Sequence, residues 1–509
     1  MKKILMFLVI AWLFSTSCKK TSSDREAENY ELVGSELIDA EIRTAIEKDK
    51  VFNWNNASVS IVWSALQLSD NVLSVGYKAS GVSDVENSLH LININDEAWK
   101  KVRKELLDLI LEEERKLDKN ITFEQLVQWN EDILPVINVY VRNPSTISML
   151  REHKLVRYAE PMGYEPQDIK NKVLSSSGCG SNTAATGLME GADYVSVFPG
   201  SKQSWNYNFH RIPAAWSKST GAGVKVFIID TGSEFDQDNL GSAFNQGSSV
   251  GRTIERIVTL PRATFLGFPT GPVETPDDGC GHGTSMAGAC AAPRGIDGAS
   301  CGVAYNSNLV TCRAAEDVLI DASREVKGTS DAFTNAGNRT DVKIISMSMG
   351  RITTSSQIAD AIKYAYAKGK LIFCAAGTSF GWTSGWYGVI FPAYLSQVNA
   401  VTGVRDNQFN TTCTACHDGS ETDFTIVMEK AINERHPITL ASSGNTPSTV
   451  GGSSVSTATA AGIAALVWSR FSSYTRDQIL NKLITTSANY PLRNAYLGWG
   501  NMNADAATN

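Results

Sequence analysis

Asp230, His282 and Ser454 combine reactive side chains with small, conformationally free surroundings. Ser454 follows Gly451-Gly452-Ser453, and small residues then run through Ala458, Ala460, Ala461 and Gly462 to Leu466. A helix with Gly, Ala, Ser and Thr on nearly every face has to be buried, because a surface helix would carry a charged side. Its N-terminus presents unpaired N–H groups and the positive end of the dipole. That environment suits a nucleophile whose reaction develops an oxyanion nearby. Taken alone, the stretch also reads as a serine-capped core helix. His282, one of 6 histidines, lies in the glycine-lined turn Gly281-His282-Gly283-Thr284 ahead of a small-residue helix. Alone it also fits a structural or metal-binding loop. Asp230 closes the apolar run Val226-Phe227-Ile228-Ile229, which places it at the carboxyl end of a strand with Thr231-Gly232 turning away. A charge there costs stability unless it is hydrogen-bonded, and alone it also reads as a turn aspartate. Together the three types suit nucleophilic chemistry: a serine hydroxyl needs a base titrating near neutral pH, and the base needs an orienter.

The elements that would position these residues are of α/β type from residue 204 onward. Strands are expected at 224–230, 308–312, 342–347, 370–376 and 398–404, and helices at 356–368, after Ser454, and at 476–487. Such alternation implies a parallel sheet covered on both faces, with ligands bound at the carboxyl ends of its strands. Upstream, 18–55 reads as a polar leader becoming helical. Residues 56–161 read as a smaller α+β domain, with strands at 59–63, 72–77, 89–94, 135–141 and 155–158 and helices at 97–117 and 145–153. The Gly/Ser-rich stretch 162–203 reads as a linker.

The motifs Asp230-Thr231-Gly232, Gly281-His282-Gly283-Thr284 and Gly452-Ser453-Ser454 occur in the order Asp, His, Ser on an α/β chain. Region 204–509 thereby resembles the catalytic domain of subtilisin-like serine proteases. Gly302-Val303-Ala304, Phe391-Pro392-Ala393, Val401-Thr402-Gly403-Val404 and Gly498-Trp499-Gly500-Asn501-Met502-Asn503 add to the resemblance. It implies a three-layer parallel-sheet fold with Asp230, His282 and Ser454 as the triad, and Ser348, Met349, Gly350, Ala375, Ala376 and Gly377 lining the substrate. Where the family has an oxyanion-binding Asn, this chain has Thr378, whose hydroxyl can also donate. Ser453 stands for the usual Thr and Ala458 for the usual Pro. Val139-Tyr140-Val141 and Val156-Arg157-Tyr158-Ala159-Glu160-Pro161 resemble the end of the family's inhibitory propeptide, which implies processing between 162 and 203.

The remaining features bound the function. A net charge of −7 offers no basic stripe for nucleic acid. Lys2-Lys3, an apolar run and Ser15-Thr16-Ser17-Cys18 resemble a lipoprotein signal at 1–17 with Cys18 as lipid anchor, or a plain secretion signal. The expected setting is therefore the cell envelope, anchored to a membrane, or the medium. Export favours disulfides among the cysteines other than Cys18, with Cys179 expected to bond to the peptidase region. Cys413-Thr414-Ala415-Cys416-His417 matches a haem-attachment pattern, although a disulfide or zinc would also account for it. No cofactor is certain; Asp236 and Asp238 are candidates for structural calcium. The expected function is an exported, self-processing serine endopeptidase acting on polypeptides and held as a zymogen by its own propeptide. The alternative is a slow or non-catalytic binding protein on the same scaffold, motivated by Thr378. A serine esterase of another fold would need glycine where Ser456 stands.

Overall fold

The Lys225–Asp230 strand alternates its side chains between two cores. Phe227 and Ile229 enter one, and Val226 and Ile228 the other. Such double burial requires helices on both faces of the sheet. The computed structural model describes residues 30–166, 179, 182–378, 388–407 and 409–509, and residues 32–509 form one compact unit. Its seven-stranded sheet runs in the order Thr422–Glu429, Asn399–Arg405, Leu371–Ala375, Val342–Met347, Lys225–Asp230, Asn308–Arg313, Ile254–Val258. Every pairing in it is parallel. The His282–Ala291 and Gly452–Arg470 helices cover one face, and the Ser323–Asn338 and Ser356–Ala367 helices the other. This is the α/β architecture expected from the sequence.

A second, four-stranded antiparallel sheet is built from Val72–Tyr77, Val127–Trp129, Val136–Tyr140 and Val156–Pro161. It packs on the Ser323–Asn338 and Ser356–Ala367 helices, and one continuous core runs from Ile38 and Leu73 into Phe333 and Ile358. Its polar contacts cluster at the starts of those helices. Asp70 accepts from Ser323 Oγ at 2.7 Å, and Glu160 accepts from the backbone N–H and hydroxyl of Ser356. Carboxylates at helix N-termini are favoured by the unpaired N–H groups and the dipole. Buried Gln357 accepts from Ser74 Oγ at 2.8 Å and Asn138 Nδ2 at 2.7 Å.

Three expectations need correction. The apolar run at 59–63 belongs to a helix, Val59–Gln67, capped by Ser58 accepting from Ile61 N at 3.2 Å. A branched apolar run suits a strand, but here the cap and a one-sided burial against the Pro144–Glu152 helix decide otherwise. Residues 89–94 hold only a 3-10 turn, Leu89–Leu91. The helical part expected in the leader is Ser35–Asp49, and its Ile38, Ile42 and Ile46 join the core. The third concerns the expected linker, whose described residues carry structure. Met162 and Tyr164 are buried, and Arg351 donates to their carbonyls at 2.9 and 3.0 Å. Tyr194–Val197 and Ser201–Ser204 form a hairpin.

Cys179 is bonded to Cys280 and Cys413 to Cys416. Cys290, Cys301, Cys312 and Cys374 remain buried thiols, so the even count did not translate into full pairing. The Cys413–Cys416 bond leaves neither sulfur for haem or zinc. His417 Nδ1 donates to the Gly388 carbonyl at 2.8 Å.

Candidate active site

Asp230, the last residue of its strand, is fully buried, with its neighbour in the sheet order supplying Arg313 opposite it. The cost of burying this charge is met by the Thr231 N–H, which donates to Oδ1 at 2.9 Å, and by His282. His282 opens the His282–Ala291 helix, and its Nδ1 lies 2.7 Å from Asp230 Oδ1. A carboxylate only accepts, so Nδ1 carries the proton and Nε2 is the nitrogen left for proton exchange.

Asp278 builds the turn that brings these two together. Its Oδ1 accepts from Thr231 Oγ1 at 2.7 Å and Gly281 N at 2.8 Å, and its Oδ2 from Thr284 N at 2.8 Å. A Cβ on Gly283 would come within 2.3 Å of the Gly232 carbonyl, so glycine is what lets the histidine helix touch the end of the aspartate strand. Burial pulls the imidazole of His282 down, but the charge and hydrogen bond of Asp230, with Asp278 and Asp317 behind it, hold it above its ordinary value.

Ser454 sits in the first turn of the Gly452–Arg470 helix and is partly exposed. Its hydroxyl contacts the Ser348 carbonyl at 3.4 Å, while Ser348 Oγ donates to the Ser454 carbonyl at 2.9 Å. The first of these is at the limit of hydrogen-bond reach. Among the described residues no hydrogen bond joins Ser454 Oγ to His282; such nucleophile–base contacts are often loose without substrate and tighten with it. His282 and Ser454 line the same cleft, of about 400 Å³. Ser348, Met349 and Gly350 follow the Val342–Met347 strand and line it too. So do Ala375, Gly377 and Thr378 at the end of the Leu371–Ala375 strand. Ala376, expected beside them, is instead fully buried, its carbonyl accepting from Ile390 N at 2.9 Å. The contributing strands all deliver their residues at their carboxyl ends, as a parallel sheet requires.

Cys18 lies outside the described residues. Asp236 and Asp238 sit ahead of and in the Asp238–Leu240 turn. Among the described residues no group of three or more His, Cys, Asp or Glu is placed to hold a metal ion.

Asn182 and His436 are among the contributors to the cleft that sequence reasoning missed. Asn182 reaches its wall, donating from Nδ2 to the Gly281 carbonyl and accepting from Ser448 Oγ at 3.2 Å. It comes from a stretch whose composition signals only a linker. His436 also lines the cleft beside Gly451; burial pulls its imidazole down against the charges of Glu429 and Glu434. Its polar surroundings in sequence carried no signal at all.

The arrangement pairs a buried Asp–His couple with a serine at a helix N-terminus, His282 and Ser454 both lining one cleft. The chain is similar to several known proteins. An alkaline protease of Alkalihalobacillus alcalophilus is 29% identical over 308 residues, spanning 60% of this chain and 69% of that protein. Subtilisin BL of Lederbergia lenta is 28% identical over 308 residues, spanning 60% of this chain and 98% of that protein. The solved structure of MycP1 from Mycobacterium smegmatis is 22% identical, with a TM-score of 0.47, covering 65% of this chain and 88% of that one. The profile of the subtilase family, Peptidase_S8, matches residues 221–500. With more than half of its length matched, the chain belongs to the subtilase family and is a serine endopeptidase.

Proposed function

We propose that Ser454 is the nucleophile of an exported, self-processing endopeptidase, with His282 as its base and Asp230 as the orienter of His282. The observation that carries this reading is the 2.7 Å Asp230–His282 hydrogen bond beside a cleft that Ser454 shares. Ser454 Oγ attacks the peptide carbonyl while His282 Nε2 takes its proton, giving a tetrahedral oxyanion. His282 returns that proton to the departing amine as the C–N bond breaks, and an acyl-enzyme remains. Water, deprotonated by the same nitrogen, then releases the acid. Asp230 keeps the proton on Nδ1 and stabilises the imidazolium. The oxyanion receives the Ser454 N–H and the Thr378 hydroxyl. Ser348, Met349 and Gly350 on one side, with Ala375 and Gly377 on the other, flank the bound chain.

The α+β domain at 56–161 acts as an inhibitory propeptide. The contacts of Asp70 and Glu160 at the two helix starts, and the grip of Arg351 on Met162 and Tyr164, support this. Processing falls between 162 and 203, in the segment that joins this domain to the peptidase. Export, with Cys18 as lipid anchor, rests on the N-terminal signal pattern. Among the described residues no helix is long and apolar enough to cross a membrane.

A fluorophosphonate probe tests the assignment. Wild-type protein is labelled and self-processes; Ser454→Ala does neither and accumulates at full length. Absent labelling with no size difference between the two would favour the binding-protein alternative.

A further inference from the structure

Thr378 raises a question that an asparagine would not. An amide N–H₂ has directions fixed by its plane, whereas a hydroxyl proton rotates and must be aimed. The surroundings of Thr378 do the aiming. Ser453 N–H donates to Thr378 Oγ1 at 3.0 Å, Gly377 N–H donates to Ser453 Oγ at 3.2 Å, and the two hydroxyl oxygens lie 2.9 Å apart. This closeness depends on Gly452, at φ 82°, where a Cβ would stand 2.7 Å from Thr378 Oγ1.

Each hydroxyl oxygen has one proton and accepts two hydrogen bonds. Each already accepts one backbone N–H, so the bond between them uses one of the two hydroxyl protons and frees the other. Ser453 is 1% exposed, closed in by Gly377 and Thr378, while Thr378 is partly exposed on the cleft wall. The proton count is satisfied outward when Ser453 donates to Thr378. Both acceptor positions of Thr378 Oγ1 are then filled by Ser453, through its N–H and its O–H, and the Thr378 proton can point only away from Ser453, into the cleft. Donation into Thr378 Oγ1 also polarises its O–H bond and strengthens it as a donor.

We propose that Ser453 is a positioning residue: its hydroxyl and backbone N–H together aim the Thr378 hydroxyl proton at the oxyanion, replacing the fixed geometry of an amide. The inference rests on the assignment of Ser454 as nucleophile and of Thr378 as oxyanion donor.

The test is a set of double-mutant cycles on the processed enzyme with a chromogenic peptide substrate. Variants that self-process slowly are cut in trans by tagged wild-type enzyme, which is then removed. Ser453→Ala lowers kcat roughly 10- to 100-fold with KM unchanged, less than the roughly 10²–10³-fold cost of losing an oxyanion donor outright, because the Thr378 hydroxyl remains but is no longer aimed. Ser453→Thr, which keeps the hydroxyl, restores kcat. On a Thr378→Val background, Ser453→Ala has no further effect, because no proton is left to aim. On a Thr378→Asn background its effect falls to less than about threefold, because the amide is oriented by its own plane. The inference is overturned if Ser453→Ala leaves wild-type kcat unchanged, or slows the Thr378→Val enzyme as much as the wild type, which marks a packing role. Failure of the underlying assignment looks different: wild-type enzyme then resists the fluorophosphonate, or Ser454→Ala retains turnover.

Discussion

Arg157 holds Asp360 by two parallel hydrogen bonds, Nη1 to Oδ2 at 2.7 Å and Nη2 to Oδ1 at 2.8 Å, and so ties the antiparallel sheet to a helix of the peptidase. Tyr158 donates to the same carboxylate at 3.1 Å. The pair is almost sealed from water, with side chains 10% and 2% exposed. Breaking one partner of such a pair leaves an uncompensated buried charge, at a cost of about 3–5 kcal/mol. Arg157→Ala should therefore weaken retention of the N-terminal segment after processing on the order of 10²-fold or more. Size-exclusion chromatography of the processed protein would show the segment released, with peptidase activity rising in step.

Retention of that segment should also depend on pH through Glu160. Burial pushes its carboxyl up to about 7, against the hydrogen bonds of Ser356 and the charge of Arg351, with Asp360 adding to the rise. Ser356, Arg351 and Asp360 all belong to the peptidase, so docking sets the environment in which Glu160 is buried. A carboxyl raised on docking binds a proton more tightly there, and its contribution is full below the free carboxylate range and lost as pH rises through 7. Burial raises Asp70, at the other helix start, in the same sense. The segment should thus dissociate more readily at pH 8 than at pH 5, approaching tenfold per pH unit in the steep part for one group. Glu160→Gln should flatten the profile measured by dissociation rate.

Turnover should have its own pH limb. His282 acts as a base only when neutral, so activity rises with pH through its pKa, which Asp230 holds above the ordinary 6.5. Asp230→Asn removes the charge that raises it and leaves the burial that lowers it. The limb of kcat/KM should then move to lower pH while kcat falls about 10⁴-fold, the scale known for loss of a triad aspartate. A limb that stays in place would separate Asp230 from the titration.

The Cys179–Cys280 bond closes a loop spanning 101 residues and ties Cys179 to the turn that leads into His282. Removing it by Cys280→Ser should lower stability by about 2–4 kcal/mol, read as a fall in thermal midpoint. Peptide mapping without reductant should recover the two cysteines in one cross-linked species. A free Cys179 thiol would refute the pairing.

Much of the site was legible because its constraints are local. An apolar run ending in Asp230, a glycine turn holding His282, and a small-residue helix headed by Ser454 each carry their geometry in neighbouring residues. The same holds for strands such as Val342–Met347, whose short branched apolar run suits a buried strand between polar neighbours. Elements without that contrast were missed. Ile254–Val258 is half-buried throughout, with Glu255 and Arg256 interrupting any period. Ser323–Asn338 buries Ser, Thr, Gly and even Lys327, so apolar spacing could not reveal it.

The sequence by itself determined the α/β class and pointed to the candidate residues Asp230, His282 and Ser454 in their order, because strand ends, glycine turns and buried helices are set by neighbours along the chain. Only the tertiary structure decided how distant segments meet. It made 59–67 a helix, brought Asn182 to the cleft, chose which cysteines pair, and set Ser453 against Thr378. The physical reason is that hydrogen-bond partners and burial at those positions come from residues far away in the chain. The composition of a short stretch contains no term for them.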